Sequence, residues 1–110
     1  MDQFTVVGGS QKDIRTFYST LYRLLLFPHN IPESGRYMSP YDGKVHAGQM
    51  FTDVGFWDVA RATQPFLTLF YPDVSELMVD GMLDTFVQSG HLPRWASPNH
   101  RNTMVGNHAD

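Results

Sequence analysis

Trp57, Asp58 and Arg61 fall within six residues of one another in the stretch Phe56-Trp57-Asp58-Val59-Ala60-Arg61. On a helix, positions 58 and 61 project to neighbouring faces, so a carboxylate and a guanidinium can converge on vicinal hydroxyls. The Trp57 indole would supply a flat wall against which a ring stacks through its C–H face. The competing structural reading is an intrahelical Asp58–Arg61 ion pair beside a buried tryptophan. Asp42 and His46 lie four residues apart in a stretch rich in turn residues, and both are candidates to reach the same ligand. Asp42 before Gly43 is equally an ordinary turn residue. Trp95, two residues after Pro93, is suited either to line the mouth of a site or to pack. His100 carries an imidazole, which can donate a proton near neutrality.

Metal chemistry has little to work with. There is no cysteine, which excludes disulfides and thiolate ligands. The five histidines lack zinc-type spacing, and His100 with His108 is a weak pair. Asp73, Glu76, Asp80 and Asp84 form an acidic stripe at three- and four-residue spacing, which on an amphipathic helix reads as a solvated face.

Three helices and one long polar loop must position these residues. Phe4-Thr5-Val6-Val7, stopped by Gly8-Gly9, reads as a short extended stretch or strand. Ser10 is placed to cap a first helix, whose apolar face runs through Ile14, Phe17, Tyr18, Leu21, Leu24 and Leu25 until Pro28 ends it. Residues 28–53 are rich in proline and glycine. Within them, Arg36-Tyr37-Met38 and Lys44-Val45-His46 flank Pro40-Tyr41-Asp42-Gly43, the pattern of a β-hairpin. A loop of this length is uncommon in a compact domain, and such loops are disproportionately functional. A second helix is expected from Asp53 or Gly55, kinked or interrupted at Pro65. A third follows Pro72, with Asp73 and Glu76 at capping-box spacing and Gly90 as its stop. Beyond Gly90 the chain is extended, with prolines at 93 and 98.

The composition is globular: 42% hydrophobic and 17% charged residues over 110 positions, enough for one small domain. Aromatics reach 14%, an excess that suits both a core and ring-stacking platforms. With a net charge of −3 and scattered lysines and arginines, no basic patch suggests a nucleic-acid or anionic-membrane partner. The longest apolar run, Leu24-Leu25-Leu26-Phe27, is far too short to span a bilayer. Asp2-Gln3-Phe4-Thr5 after Met1 does not have the form of a signal peptide, so an export signal would have to lie upstream. Three amphipathic helices with wide apolar stripes need partners, and the polar hairpin loop cannot cover them. The expectation is a piece of a larger protein that has weak cooperativity by itself; the alternative is a small domain that dimerises.

Several stretches, in order, resemble the α-mannosidases of glycoside hydrolase family 92. Val7-Gly8-Gly9 and Phe17-Tyr18-Ser19-Thr20-Leu21-Tyr22-Arg23 resemble the family's V-x-G-G and F-Y-S/T-A-L-Y stretches. Gly35-Arg36-Tyr37 and Tyr41-Asp42-Gly43-Lys44-Val45-His46 are similar to G-x-Y and D-G-K-I/V-H. Phe51 to Arg61 is similar to Y-T-x-F-S-x-W-D-x-x-R. Ser89-Gly90-His91-Leu92-Pro93-Arg94-Trp95 and Met104-Val105-Gly106 match S-G-x-L-P-x-W and M-I/V-G. Each motif alone is weak; their order, spacing and coverage of residues 4–110 are together specific.

The resemblance implies a mainly α fold, a partial α/α barrel of the six-hairpin type with a short β-hairpin in its long loop. The whole of residues 1–110 would then be a fragment of the helical catalytic domain of a larger glycosidase, which a β-sandwich domain precedes. It implies an exo-acting, calcium-dependent enzyme that hydrolyses α-mannosides with inversion. The base carboxylates and most calcium ligands would lie outside this chain, leaving the fragment inactive by itself. The substrate would be an α-mannoside or mannose-phosphate glycan, and the parent enzyme extracellular, periplasmic or in the secretory pathway. The family's acid glutamate, counted back from Met104, falls on His100. Three readings of that departure stay open. One alters the leaving group to the phosphate of a mannose-1-phosphodiester, one makes the histidine the acid, and in the third the activity is changed or lost. The last admits a non-catalytic sugar-binding or structural module derived from the same fold.

Overall fold

The structure, a computed structural model, describes residues 4–97. Ser10 caps helix α1 (Gln11–Leu24): its hydroxyl accepts from the Asp13 amide, and the Asp13 carboxylate accepts from the Ser10 amide in return. This reciprocal capping box satisfies two donors that a helix start otherwise leaves open. Leu21 is buried on the expected apolar face, with Ile14, Tyr18 and Leu24 half-buried, but Phe17 and Leu25 on the same stripe are exposed. Among the described residues the stretch before α1 forms no strand, in contrast to the strand reading of Phe4 to Val7. Side chains hold it instead. The Tyr18 hydroxyl donates to the Phe4 carbonyl at 3.1 Å, and the Phe4 ring packs against Phe66 and Phe70.

Two small antiparallel sheets fill the long loop. Strand β1 (His29–Asn30) pairs with β4 (Phe51–Thr52), and β2 (Arg36–Met38) pairs with β3 (Val45–Ala47). The β2–β3 pair is the hairpin that the turn residues predict. In its turn Ser39 N–H donates to the Lys44 carbonyl and Gly43 N–H to the Ser39 carbonyl, while the Ser39 hydroxyl accepts from the Tyr41 amide. Ser39 is consequently almost fully buried without an unmet group.

The second predicted helix is two helices. Helix α2 (Phe56–Val59) is a single turn of helix, residues 60–62 form a hydrogen-bonded turn, and α3 (Thr63–Phe70) restarts the spiral. Pro65 therefore causes no kink inside a helix: it is the third residue of α3, where its missing N–H would have had no intrahelical partner. Helix α4 (Pro72–Ser89) begins on Pro72 and ends on Gly90, whose φ of 81° is left-handed. The expected Asp73–Glu76 capping box does not form. Pro72 starts the helix one residue before Asp73, which leaves Asp73 inside the first turn rather than at the cap.

Val54, Phe56, Leu67, Met78 and Ala96 form the buried centre, joined by Leu24, Phe51, Val59 and Met82. Val54 and Ala96 also exchange two backbone hydrogen bonds, which pin the segment after Gly90 onto the chain just ahead of α2. Gly81, in the middle of α4, allows β4 to approach: a Cβ there would stand 3.3 Å from both the Gln49 carbonyl and the Phe51 ring. Fully burying a side chain such as Leu67 or Met78 contributes roughly 1.5–3 kcal/mol. Leu69 of α3 and Leu83, Phe86 and Val87 of α4 remain exposed. Among the described residues the architecture is mainly helical, and no helix is long and apolar enough to cross a membrane.

Candidate functional site

The hairpin brings Asp42 and His46 together. His46 Nε2 donates to Asp42 Oδ2 at 2.9 Å, and Asp42 Oδ1 accepts from the Lys44 amide at 2.9 Å. The backbone donor from Lys44, reinforced by His46, holds the Asp42 carboxyl below the usual carboxylate range. Asp42 shapes the turn with one oxygen, as its turn reading expects, and orients an imidazole with the other. In the neutral imidazole this leaves Nδ1 as an open acceptor.

Behind the pair stands Tyr37, which is 3% exposed and directly opposite His46 in the β2–β3 register. The two rings stack with centroids 6.0 Å apart and planes 29° from parallel. The Tyr37 hydroxyl accepts from Gln88 Nε2 and reaches Asp84 Oδ2 at 3.5 Å, the long limit of a hydrogen bond. Burial pushes the Tyr37 hydroxyl's pKa up, partly opposed by the Gln88 donor. Asp84 thereby departs from the solvated-face reading of the acidic stripe. Asp73, Glu76 and Asp80 are exposed, but Asp84 is half-buried against the hairpin.

Trp57 and Asp58 sit on α2 and Arg61 in the turn that follows it. The premise that 58 and 61 share a helix is corrected: α2 ends at Val59, so the two residues are not held one turn apart. The alternative of an intrahelical ion pair beside a buried tryptophan fails too. No Asp58–Arg61 ion pair forms among the described residues, and Trp57 is 54% exposed. The Asp58 carboxylate folds back over Gly55, occupying the place a Cβ there would take. Indole, carboxylate and guanidinium are all exposed on this one short stretch.

Trp95 is half-buried, and its Nε1–H is buried without an acceptor among the described residues. It precedes Ala96, which bridges to Val54, so its backbone is tied to the strand end that leads into α2. His100 lies outside the described residues, as do His108 and the Met104-Val105-Gly106 stretch.

Sequence reasoning missed one pair altogether. His29 Nδ1 donates to Asp53 Oδ2 at 2.8 Å, across the β1–β4 sheet and 24 residues apart. Asp53 holds a left-handed φ of 64° and borders a cleft of about 140 Å³ that Arg23, Phe27 and Gln64 also line. Only knowledge of the β1–β4 pairing would have brought these two residues together. The larger cleft, about 300 Å³, lies between α3, α4 and Pro93, with Phe56, Met78 and Met82 in its wall. It is apolar and contains none of the sequence-predicted site residues.

No group of three or more histidine, aspartate or glutamate side chains among the described residues is placed to hold a metal.

The comparisons with known proteins connect these separate pieces. The model of the glycosyl hydrolase family 92 catalytic domain matches residues 1–110. The chain belongs to glycosyl hydrolase family 92. It is similar to the solved structure of a family 92 inverting mannosidase from Bacteroides thetaiotaomicron, with 48% identity, a TM-score of 0.86 and 96% of this chain covered. The match spans 15% of that mannosidase's chain. No curated protein matches. The family 92 motifs quoted above thus fall just ahead of α1 and on it, on the hairpin, on β4 with α2, and at the end of α4 and beyond it, while Met104-Val105-Gly106 lies outside the described residues.

Proposed function

We propose that this chain is a segment of the catalytic domain of an exo-acting, calcium-dependent α-mannosidase that inverts configuration. The observation that carries the reading is the match of the family 92 catalytic-domain model to residues 1–110, supported by 48% identity to an inverting mannosidase. In this reading the helices are the early part of an α/α barrel, and the rest of the barrel covers the exposed faces of α3 and α4. Calcium and the base carboxylates are supplied by the remainder of the parent chain.

Inverting hydrolysis requires an acid on the leaving oxygen and a base that activates a water on the opposite face of the ring. Within this chain the work is binding and orientation. Trp57 walls the mannose ring, Asp58 accepts from ring hydroxyls and Arg61 donates to them. Asp42 and His46 present the hairpin to the same pocket, and Trp95 lines its mouth.

In this reading His100, counted back from Met104, takes the position of the family's acid glutamate. This observation favours a mannose-1-phosphodiester as substrate, because a phosphate leaves as a stable anion and needs little proton donation. The test compares mannose release by the parent enzyme from an α-mannoside and from a mannose-1-phosphodiester. Faster release from the phosphodiester, undiminished in His100→Ala, supports the phosphate leaving group. Loss of both activities in His100→Ala would show histidine acting as the acid instead. Release of mannose from neither substrate would leave a non-catalytic sugar-binding module as the better account.

A further inference from the structure

We infer that Tyr37, tethered by Gln88 and Asp84 of α4, is a positioning residue that fixes the Asp42–His46 pair for substrate; this rests on the proposed role of that pair in the mannose pocket.

The hairpin turn alone does not fix the imidazole. The Asp42–His46 hydrogen bond joins two residues of the same hairpin, so it orients them relative to each other, not relative to the helices. Tyr37 supplies the link. Its ring stacks on His46 from the facing strand, and its hydroxyl takes the Gln88 donor while pointing towards the Asp84 carboxylate. The tether spans 51 residues of sequence between Tyr37 and Gln88 and ends in a part-buried contact. A second contact fixes the same geometry: the Asp84 carboxylate fills the space beside Gly48, where a Cβ would come within 2.6 Å of Oδ2. An imidazole held by a neighbour that is itself anchored loses less rotamer freedom when it meets a ligand. Asp84 and Gln88 thus act from α4, through Tyr37, on a pair they do not touch.

The test is a set of double-mutant cycles in the parent enzyme, read as KM and kcat on an α-mannoside and a mannose-1-phosphodiester. Tyr37→Phe keeps the stacked ring and removes the hydroxyl; Gln88→Met removes the donor and keeps the length. Each is expected to raise KM about fivefold, the scale of one hydrogen bond, with kcat little changed. Combined with His46→Ala, neither should raise KM further, because their effect passes through His46. Should Tyr37→Phe fail to fold, the Gln88→Met cycle decides alone. Full additivity with His46→Ala, or an unchanged KM in the Tyr37 and Gln88 variants beside a weakened His46→Ala enzyme, would overturn the positioning role and leave the pair's role intact. An unchanged KM in His46→Ala would overturn both.

Discussion

The carboxylate of Asp84 occupies the space that a side chain at Gly48 would need, so helix α4 and the β2–β3 hairpin meet at a position that admits no Cβ. Gly48 also holds a φ of 129°, a conformation that L side chains rarely adopt. Gly48→Ala is therefore expected to destabilise by about 1–3 kcal/mol through backbone strain, with a further loss from displacing Asp84. Denaturant unfolding of the intact parent protein measures it. Adding Asp84→Ala should recover the second part only, and a neutral Gly48→Ala would refute the contact.

Gly55 makes a similar contact on ordinary backbone. A Cβ there, as at Gly48, meets the flexible end of a carboxylate, here Asp58, but the Gly55 φ of −91° suits alanine. Gly55→Ala should therefore avoid the backbone strain of Gly48→Ala and cost less than about 1 kcal/mol, although the position is buried. It should nevertheless swing the Asp58 carboxylate aside and raise KM about tenfold in the parent enzyme. Unchanged KM would remove Asp58 from the proposed pocket.

Trp57 separates packing from binding. Because it is 54% exposed, Trp57→Ala should change unfolding free energy by less than about 1 kcal/mol, whereas truncating a buried tryptophan costs about 3–5 kcal/mol. Substrate affinity in the same variant should fall at least about tenfold, as loss of a stacking wall predicts. Strong destabilisation with normal KM would return Trp57 to a packing role.

Acid should loosen the hairpin turn late. The Asp42 carboxyl is held below its usual 3.8, first by the Lys44 amide and then by His46. A lowered folded value means that its stabilising contribution is fully present above 3.8 and is lost as pH falls through the lowered folded value. The protection factor of the Lys44 amide, its exchange relative to the intrinsic rate at each pH, should accordingly hold down to the ordinary carboxylate range and fall only below it. In Asp42→Asn that fall should vanish, and an unaltered fall there would assign it elsewhere.

Much of this was legible in the sequence because the signals are local. Ser10 three residues before Asp13, the Pro40-Tyr41-Asp42-Gly43 turn and Gly90 after an apolar run each fix their element within a few residues. The family motifs were equally readable, since they run in order along the chain. What escaped depends on contacts between distant segments. The β1–β4 pairing has two residues in each strand, too few for any alternation to show, and with it went the His29–Asp53 pair. Asp84 looks like its neighbours on the acidic stripe until Gly48 and Tyr37 are brought against it. The break at residues 60–62 was placed at Pro65 instead, because proline is well tolerated in the first turn of a helix and so marks a restart as readily as a kink.

The central claim is that this family 92 chain belongs to an enzyme that cleaves α-mannosidic bonds with inversion. The most direct measurement follows the anomeric protons of mannose by NMR during the first minutes of hydrolysis by the parent enzyme. The account predicts that β-mannose appears first and then mutarotates to the mixed anomers. α-Mannose as the first product would contradict it.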